Sequence, residues 1–167
     1  LAIGPPIEDG FYYDFDLGKD ERGKPITFSE EDLEKIEARM KELIKDNARF
    51  EQSSMSIDEA LEFFKDQPYK VELIQELAAG RVDEDGRPIS EPVREVGIYR
   101  QRDFVDLCRG PHVNYTGQIK PNAVKLLRTS GAYWRGDENR PQLQRIYGTA
   151  WPTRAELEEY LERLEEA

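Results

Sequence analysis

Apolar residues along this chain fall into short blocks, and their spacing changes between its first and second halves. Leu33, Ile36, Met40, Leu43 and Ile44 recur at helical intervals among charged residues, which puts one apolar stripe on a helix running to about Asn47. Ser29 precedes the stripe and Asp32 follows three residues on, a variant of the capping box that satisfies the first free N–H groups of a helix. Ser56 with Glu59 repeats the signature and opens a second helix through Leu61 and Phe64. Pro68 starts a third over residues 69–79, and Gly80 ends it. Thr153 with Glu156 opens a last helix dense in Glu, on which only Leu157, Tyr160, Leu161 and Leu164 are available to pack.

Between and after these helices the pattern becomes that of strands. Residues 11–17 are rich in aromatics, and 50–55, 93–100, 123–129 and 143–150 read as further strands. The charged, glycine-bearing stretch 19–24 reads as a turn, as does Gly4-Pro5-Pro6, and 136–141 reads as the loop of a hairpin. Helices cluster early and strands late, without the strict alternation of a doubly wound fold. The expected class is α+β, a mainly antiparallel sheet packed against helices and followed by a C-terminal linker helix.

Composition changes this picture little. With 167 residues, 38% hydrophobic and 35% charged, the chain fits one heavily charged domain. No apolar run approaches the ~18 residues of a membrane span, so no membrane association is expected and the expected setting is cytoplasmic. A single cysteine excludes an internal disulfide. The net charge of −11 argues against nucleic acid as a partner, but its distribution does not. Residues 94–145 hold 10 basic and 5 acidic side chains inside an otherwise acidic chain. Such a stretch fits a phosphate backbone, or is ordinary surface variation.

Cys108 and His112 are the only cysteine and histidine and lie four residues apart, with Gly110 and Pro111 between them favouring a tight loop. They would supply two ligands of a metal site that needs a third from Asp or Glu. They would also suit a Cys–His nucleophilic pair, or a site in which His112 and a carboxylate position a water for hydrolysis. Asp106, two residues before Cys108, would share its face on an extended segment. A buried Cys and a hydrogen-bonded His without a chemical role remain the plain alternative. Tyr12, Tyr13, Tyr133 and Trp134 suit stacking on a base or packing in a sheet core. Lys70 reads as a solvated helix residue, and Arg109, Arg128, Arg135 and Arg145 as phosphate contacts or surface charge.

Four blocks in order carry a resemblance. The segment from Gly4 to Asp14, then Asp66-Gln67-Pro68-Tyr69-Lys70, then Asp106-Leu107-Cys108-Arg109-Gly110-Pro111-His112 form the first three. The fourth is Lys125-Leu126-Leu127 with Gly131-Ala132-Tyr133-Trp134-Arg135-Gly136-Asp137 and residues 143–150. Together they are similar to the second N-terminal domain of bacterial threonyl-tRNA synthetases, itself related to the alanyl-tRNA synthetase editing domain. The resemblance implies an editing domain over residues 1–152 and a linker helix over 153–167 leading to a ligase core. It implies hydrolysis of serine wrongly esterified to threonine tRNA. The physical need is that one methyl separates serine from threonine and gives only about 1–3 kcal/mol of discrimination.

By the same resemblance, Cys108 and His112 match one pair of a four-residue catalytic site, and Asp106 and Lys70 help position the water and the ester. Tyr13, or its neighbour Tyr12, lies near the terminal adenosine, and Arg109 and Gly110 belong to the substrate-binding loop. The family's other pair, a His-x-x-x-His upstream of the Gly-Pro-Pro segment, would fall before Leu1, so half the site is expected here. No metal or cofactor is expected in these residues; ATP, magnesium and zinc are implied for the ligase core. The implied partners are the acceptor end of threonine tRNA and the rest of a synthetase chain, the whole being a homodimer. Two other readings stand beside this one: a non-catalytic tRNA-contacting or connecting module, and an acyl hydrolase of unrelated substrate.

Overall fold

The first two strands pair with the last two in one antiparallel sheet and the middle three form a second, each with its own helical cover. The computed structural model describes Leu1, residues 6–84 and residues 86–167, so Gly4 and Pro5 of the expected first turn lie outside the described residues. Strand β1 (Pro6–Ile7) hairpins onto β2 (Gly10–Phe15). Helix α1 (Glu30–Lys45), strand β3 (Glu51–Ser56) and helices α2 (Ile57–Phe63) and α3 (Pro68–Ala78) follow. Then come β4 (Glu95–Gln101), β5 (Phe104–Leu107), β6 (Val124–Tyr133), β7 (Gln142–Ala150) and α4 (Arg154–Glu166). The larger sheet has the order β1-β2-β7-β6 and the smaller one β3-β4-β5. The class is α+β, as the pattern predicts, with the antiparallel strands divided between two sheets.

The helices begin where the capping residues put them. Ser29 accepts from the Asp32 N–H at 3.1 Å while Asp32 accepts from the Ser29 N–H at 2.8 Å, and Ser56 and Glu59 form the same reciprocal pair at α2. Thr153 accepts from the Glu156 N–H at the start of α4. Proline opens α3, where its missing N–H costs nothing. The α1 stripe lies on one face of the larger sheet, where Leu33, Leu126 and Ile146 form a buried cluster with Phe11, Phe15, Ile36 and Met40 around it. The smaller sheet buries Val96, Ile98 and Leu107 against Ala60 of α2, Phe64 at its end, and Ile74 and Leu77 of α3. Each such aliphatic or aromatic side chain contributes roughly 1.5–3 kcal/mol on burial.

Helix α3 ties the two sheets together. One of its faces joins the cluster on the smaller sheet, while Tyr69 and Leu73 pack on Trp134 and Leu143 at the hairpin end of the larger one. Its approach is open because β1 pairs only with Gly10 and Phe11, leaving the outer edge of β2 beyond Phe11 without a strand among the described residues. There the Tyr69 hydroxyl donates to Asp16 Oδ2 at 2.6 Å, and Lys70 reaches Tyr13. Among the described residues no helix is long and apolar enough to cross a membrane.

Candidate active site

The site forms where β2, α3 and β5 meet, and strand alternation decides which side chains enter it. On β5 Leu107 goes into the core under α2 and α3, so Asp106 must face the other way. The ladder continues one step beyond β5, the Cys108 N–H donating to the Gly97 carbonyl at 3.0 Å. That extension keeps Cys108 on the Asp106 face, as its two-residue spacing predicts. Gly97 is required for this close pairing, since a Cβ there would stand 2.4 Å from the Cys108 carbonyl oxygen.

Asp106 is the hub. Its Oδ1 lies 2.5 Å from Lys70 Nζ and accepts from the Leu107 N–H at 2.7 Å. Its Oδ2 accepts from the Tyr13 hydroxyl at 2.5 Å, and Lys70 Nζ in turn donates to the Tyr13 oxygen at 3.1 Å. Lys70 is only 3% exposed, so the helix residue that reads as solvated is in fact one of the most buried charges. Burial and the Asp106 carboxylate push the Tyr13 phenol well above its ordinary value, which keeps it an O–H donor. With both Asp106 oxygens engaged, the carboxylate holds Lys70 and Tyr13 in place. Lys70 has three N–H donors, and its contacts among the described residues use two of them.

The loop after β5 turns back at Gly110, whose φ of +76° is the left-handed region that glycine enters without strain. The Gly110 N–H faces Cys108 Sγ at 3.4 Å. The turn carries His112 onto the Tyr99 ring, the two centroids 3.9 Å apart and the planes inclined by 25°, with the Phe50 ring 5.7 Å away. Burial lowers the His112 pKa from its ordinary value, against the opposing pull of the Asp106 carboxylate. A neutral imidazole at pH 7 is able to accept a proton from water. Among the described residues no three His, Cys, Asp or Glu side chains are grouped so as to hold a metal ion.

The structure therefore brings Tyr13, Lys70, Asp106 and Cys108 together and sets Gly110 and His112 on the loop beside them. It places Tyr12 on the opposite face of β2, where the Arg145 guanidinium covers its ring at 3.9 Å. Arg109 extends away to Asp83 at 3.2 Å, anchoring the loop to the turn that follows α3. The other arginines of the basic stretch are largely engaged as well. Arg145 binds Asp14 through Nε at 2.8 Å and Nη2 at 3.0 Å, and Arg135 and Arg140 both reach Glu72. Glu72 also accepts from the Trp134 indole N–H, so the Tyr-Trp-Arg-Gly block serves to pin the β6–β7 hairpin to α3. Sequence reasoning missed Tyr99. Val96 and Ile98 mark its strand face as the one away from the core, but its partner strand β5 was not predicted.

Comparison with known proteins gives a consistent picture. Residues 96–147 match the family described as the threonyl and alanyl tRNA synthetase second additional domain, a segment that runs from β4 through the Cys108–His112 loop into β7. The whole chain is 53% identical over 167 residues to a threonine–tRNA ligase of Dehalococcoides mccartyi strain CBDB1, of which it covers 25%. It is 50% identical to that of Thermotoga maritima, covering 23%, and 48% identical to that of Rubrobacter xylanophilus, covering 22%. The chain thus spans about a quarter of the length of these curated relatives.

Proposed function

Since the chain belongs to the family of the threonyl and alanyl tRNA synthetase second additional domain, we propose that it is an editing module, hydrolysing the ester of serine mischarged onto threonine tRNA. The observation that carries this reading is the cluster of Lys70, Tyr13 and Asp106, held rigidly beside a loop that offers a neutral imidazole. In this reading the third N–H of Lys70 binds an oxygen of the aminoacyl ester. His112 takes a proton from a water as that water's oxygen attacks the ester carbonyl, and the tetrahedral intermediate expels the ribose oxygen. The imidazolium returns its proton to that oxygen, yielding free serine and tRNA. On this reading the hydrolytic step must separate serine from threonine by a single methyl, a discrimination of about 1–3 kcal/mol.

The test uses the synthetase that carries this chain. Serylated threonine tRNA should be deacylated, and His112→Ala and Lys70→Met should each slow that step by roughly 10²-fold or more. Unchanged rates in both variants would sink the proposal. A second reading, a tRNA-contacting or connecting module without chemistry of its own, draws on the full engagement of Asp106, which leaves His112 as the base. A parent enzyme that binds the tRNA and shows no deacylation selects that reading.

A further inference from the structure

Tyr99 belongs to no part of the proposed reaction, yet the loop that carries it out is wound around this one side chain. It stands on β4 in register with Asp106 on β5 and Gln52 on β3, so its ring rises from the sheet face that holds the site. It is 9% exposed. Its flat face lies 3.9 Å from the His112 ring, a stacked contact. Its hydroxyl end meets the loop at Gly110, where a Cβ would fall 2.1 Å from the phenol oxygen. One side chain thus touches the turn and the residue the turn delivers. With φ at +76° and no side chain, Gly110 passes over the edge of the phenol, and His112 then settles on its face.

We propose that Tyr99 is the positioning residue for His112, its ring face fixing the plane of the imidazole and its edge fixing the turn that presents it. The residue touches no substrate and acts through His112 alone. Flat stacking suits this purpose, since it restrains the ring without occupying either nitrogen. It also removes one face of the imidazole from water, in keeping with the lowered His112 pKa. The titratable groups facing the imidazole are Asp106 from β5 and Tyr99 itself from β4, and Phe50 adds an uncharged ring.

The chain holds one histidine, so its imidazole resonance is unambiguous. In the unaltered chain that resonance should show the upfield displacement of a ring stacked on an aromatic face. Tyr99→Phe keeps the face and should keep both the displacement and the titration midpoint. Tyr99→Leu keeps apolar bulk without the face. It should abolish the displacement and move the midpoint up towards about 6.5, and in the synthetase the acid limb of the deacylation profile should move with it. A Tyr99→Leu resonance that stays where it was, or a Tyr99→Phe variant that behaves like Tyr99→Leu, overturns the proposal. If Tyr99→Leu fails to fold, Gly110→Ala decides. It should displace the His112 resonance, and adding Tyr99→Phe should restore part of it by removing the oxygen the new Cβ meets. No restoration overturns the proposal equally. The rate arm alone rests on the editing reading: a stacked resonance in an enzyme with no deacylation sinks that reading and leaves the stack standing.

Discussion

A buried amine is tolerated only while its charge has a partner, and at Lys70 the partners are Asp106 and Tyr13. Removing one member of a buried pair leaves the other uncompensated, at a cost of about 3–5 kcal/mol. Lys70→Met should therefore lower unfolding free energy by that order in urea, and Lys70→Met with Asp106→Leu should recover a good part of it. A double variant as unstable as the sum of the singles would mean the two do not interact. His112 makes a prediction of opposite character. Its pKa is lowered in the folded chain, so the native state resists protonation that the unfolded state accepts. Stability tied to this group is present above the ordinary imidazole value of about 6.5 and declines as pH falls through it to the folded value. Deacylation should keep its base at pH values where a free imidazole is already protonated, putting the lower limb of the rate profile below that value. A limb at or above it contradicts the assignment of His112 as base. Part of this was legible in the sequence: the two-residue spacing of Asp106 and Cys108 put them on one face. The burial of Lys70 was not legible, because it depends on the open edge of β2, contributed by a strand 57 residues away.

At the scale of elements, the helices were legible because their ends are written locally. Ser29 and Ser56 each close a reciprocal box with a carboxylate three residues on. Ser29→Ala should cost about 1 kcal/mol in unfolding free energy, with Ser29→Asn close to neutral; a loss well under half of that would show that α1 is held by packing alone. The strand β5 was not legible. It has four residues, and the two-residue turn before it uses Arg102 at φ +53°, where a sequence reading looks for Gly or Asn. Missing β5 hid the pairing of Tyr99 with Asp106 and thus the smaller sheet itself. The hairpin β6–β7 was read correctly, but its anchor was not. Burial raises the Glu72 pKa, yet its hydrogen bonds from Arg140 and Trp134 outweigh that, and the net pKa is lowered. A depressed carboxylate contributes stability above its unfolded value, near 4.3, and loses it as pH falls through the folded one. Glu72→Gln should therefore destabilise the chain at pH 7 and approach the unaltered chain at low pH, as followed by thermal melts. A difference that persists undiminished in acid would remove the charge from the explanation.

For the molecule as a whole, the question is whether the basic stretch faces a phosphate backbone. Residues 94–145 hold 10 Lys and Arg, and their positive balance was the one compositional hint of nucleic acid. The structure shows where much of that charge goes. Arg109 is paired with Asp83, Arg135 and Arg140 with Glu72, and Arg145 with Asp14. Lys125 lies 3.7 Å from Glu37. Arg128 lies over the Tyr147 ring and has no carboxylate within ion-pair distance among the described residues. A guanidinium already forked onto a carboxylate must give up that bond to take a phosphate, so it releases little net counterion. Each phosphate neutralised adds about −0.9 to the slope of log affinity against log salt. If all 10 basic residues met phosphates, the slope would be about −9. With the four paired arginines and Lys125 withheld, five basic residues remain, and on the editing reading an acceptor-stem minihelix of threonine tRNA should bind with a slope no steeper than about −4.5. Arg128→Ala should flatten it by about one contact's worth, and Arg145→Ala should leave the slope alone while destabilising the sheet through unpaired Asp14. A slope clearly steeper than about −4.5 would mean these ion pairs open on binding, and the internal pairing seen in the free chain would then be a resting state of the RNA-binding surface.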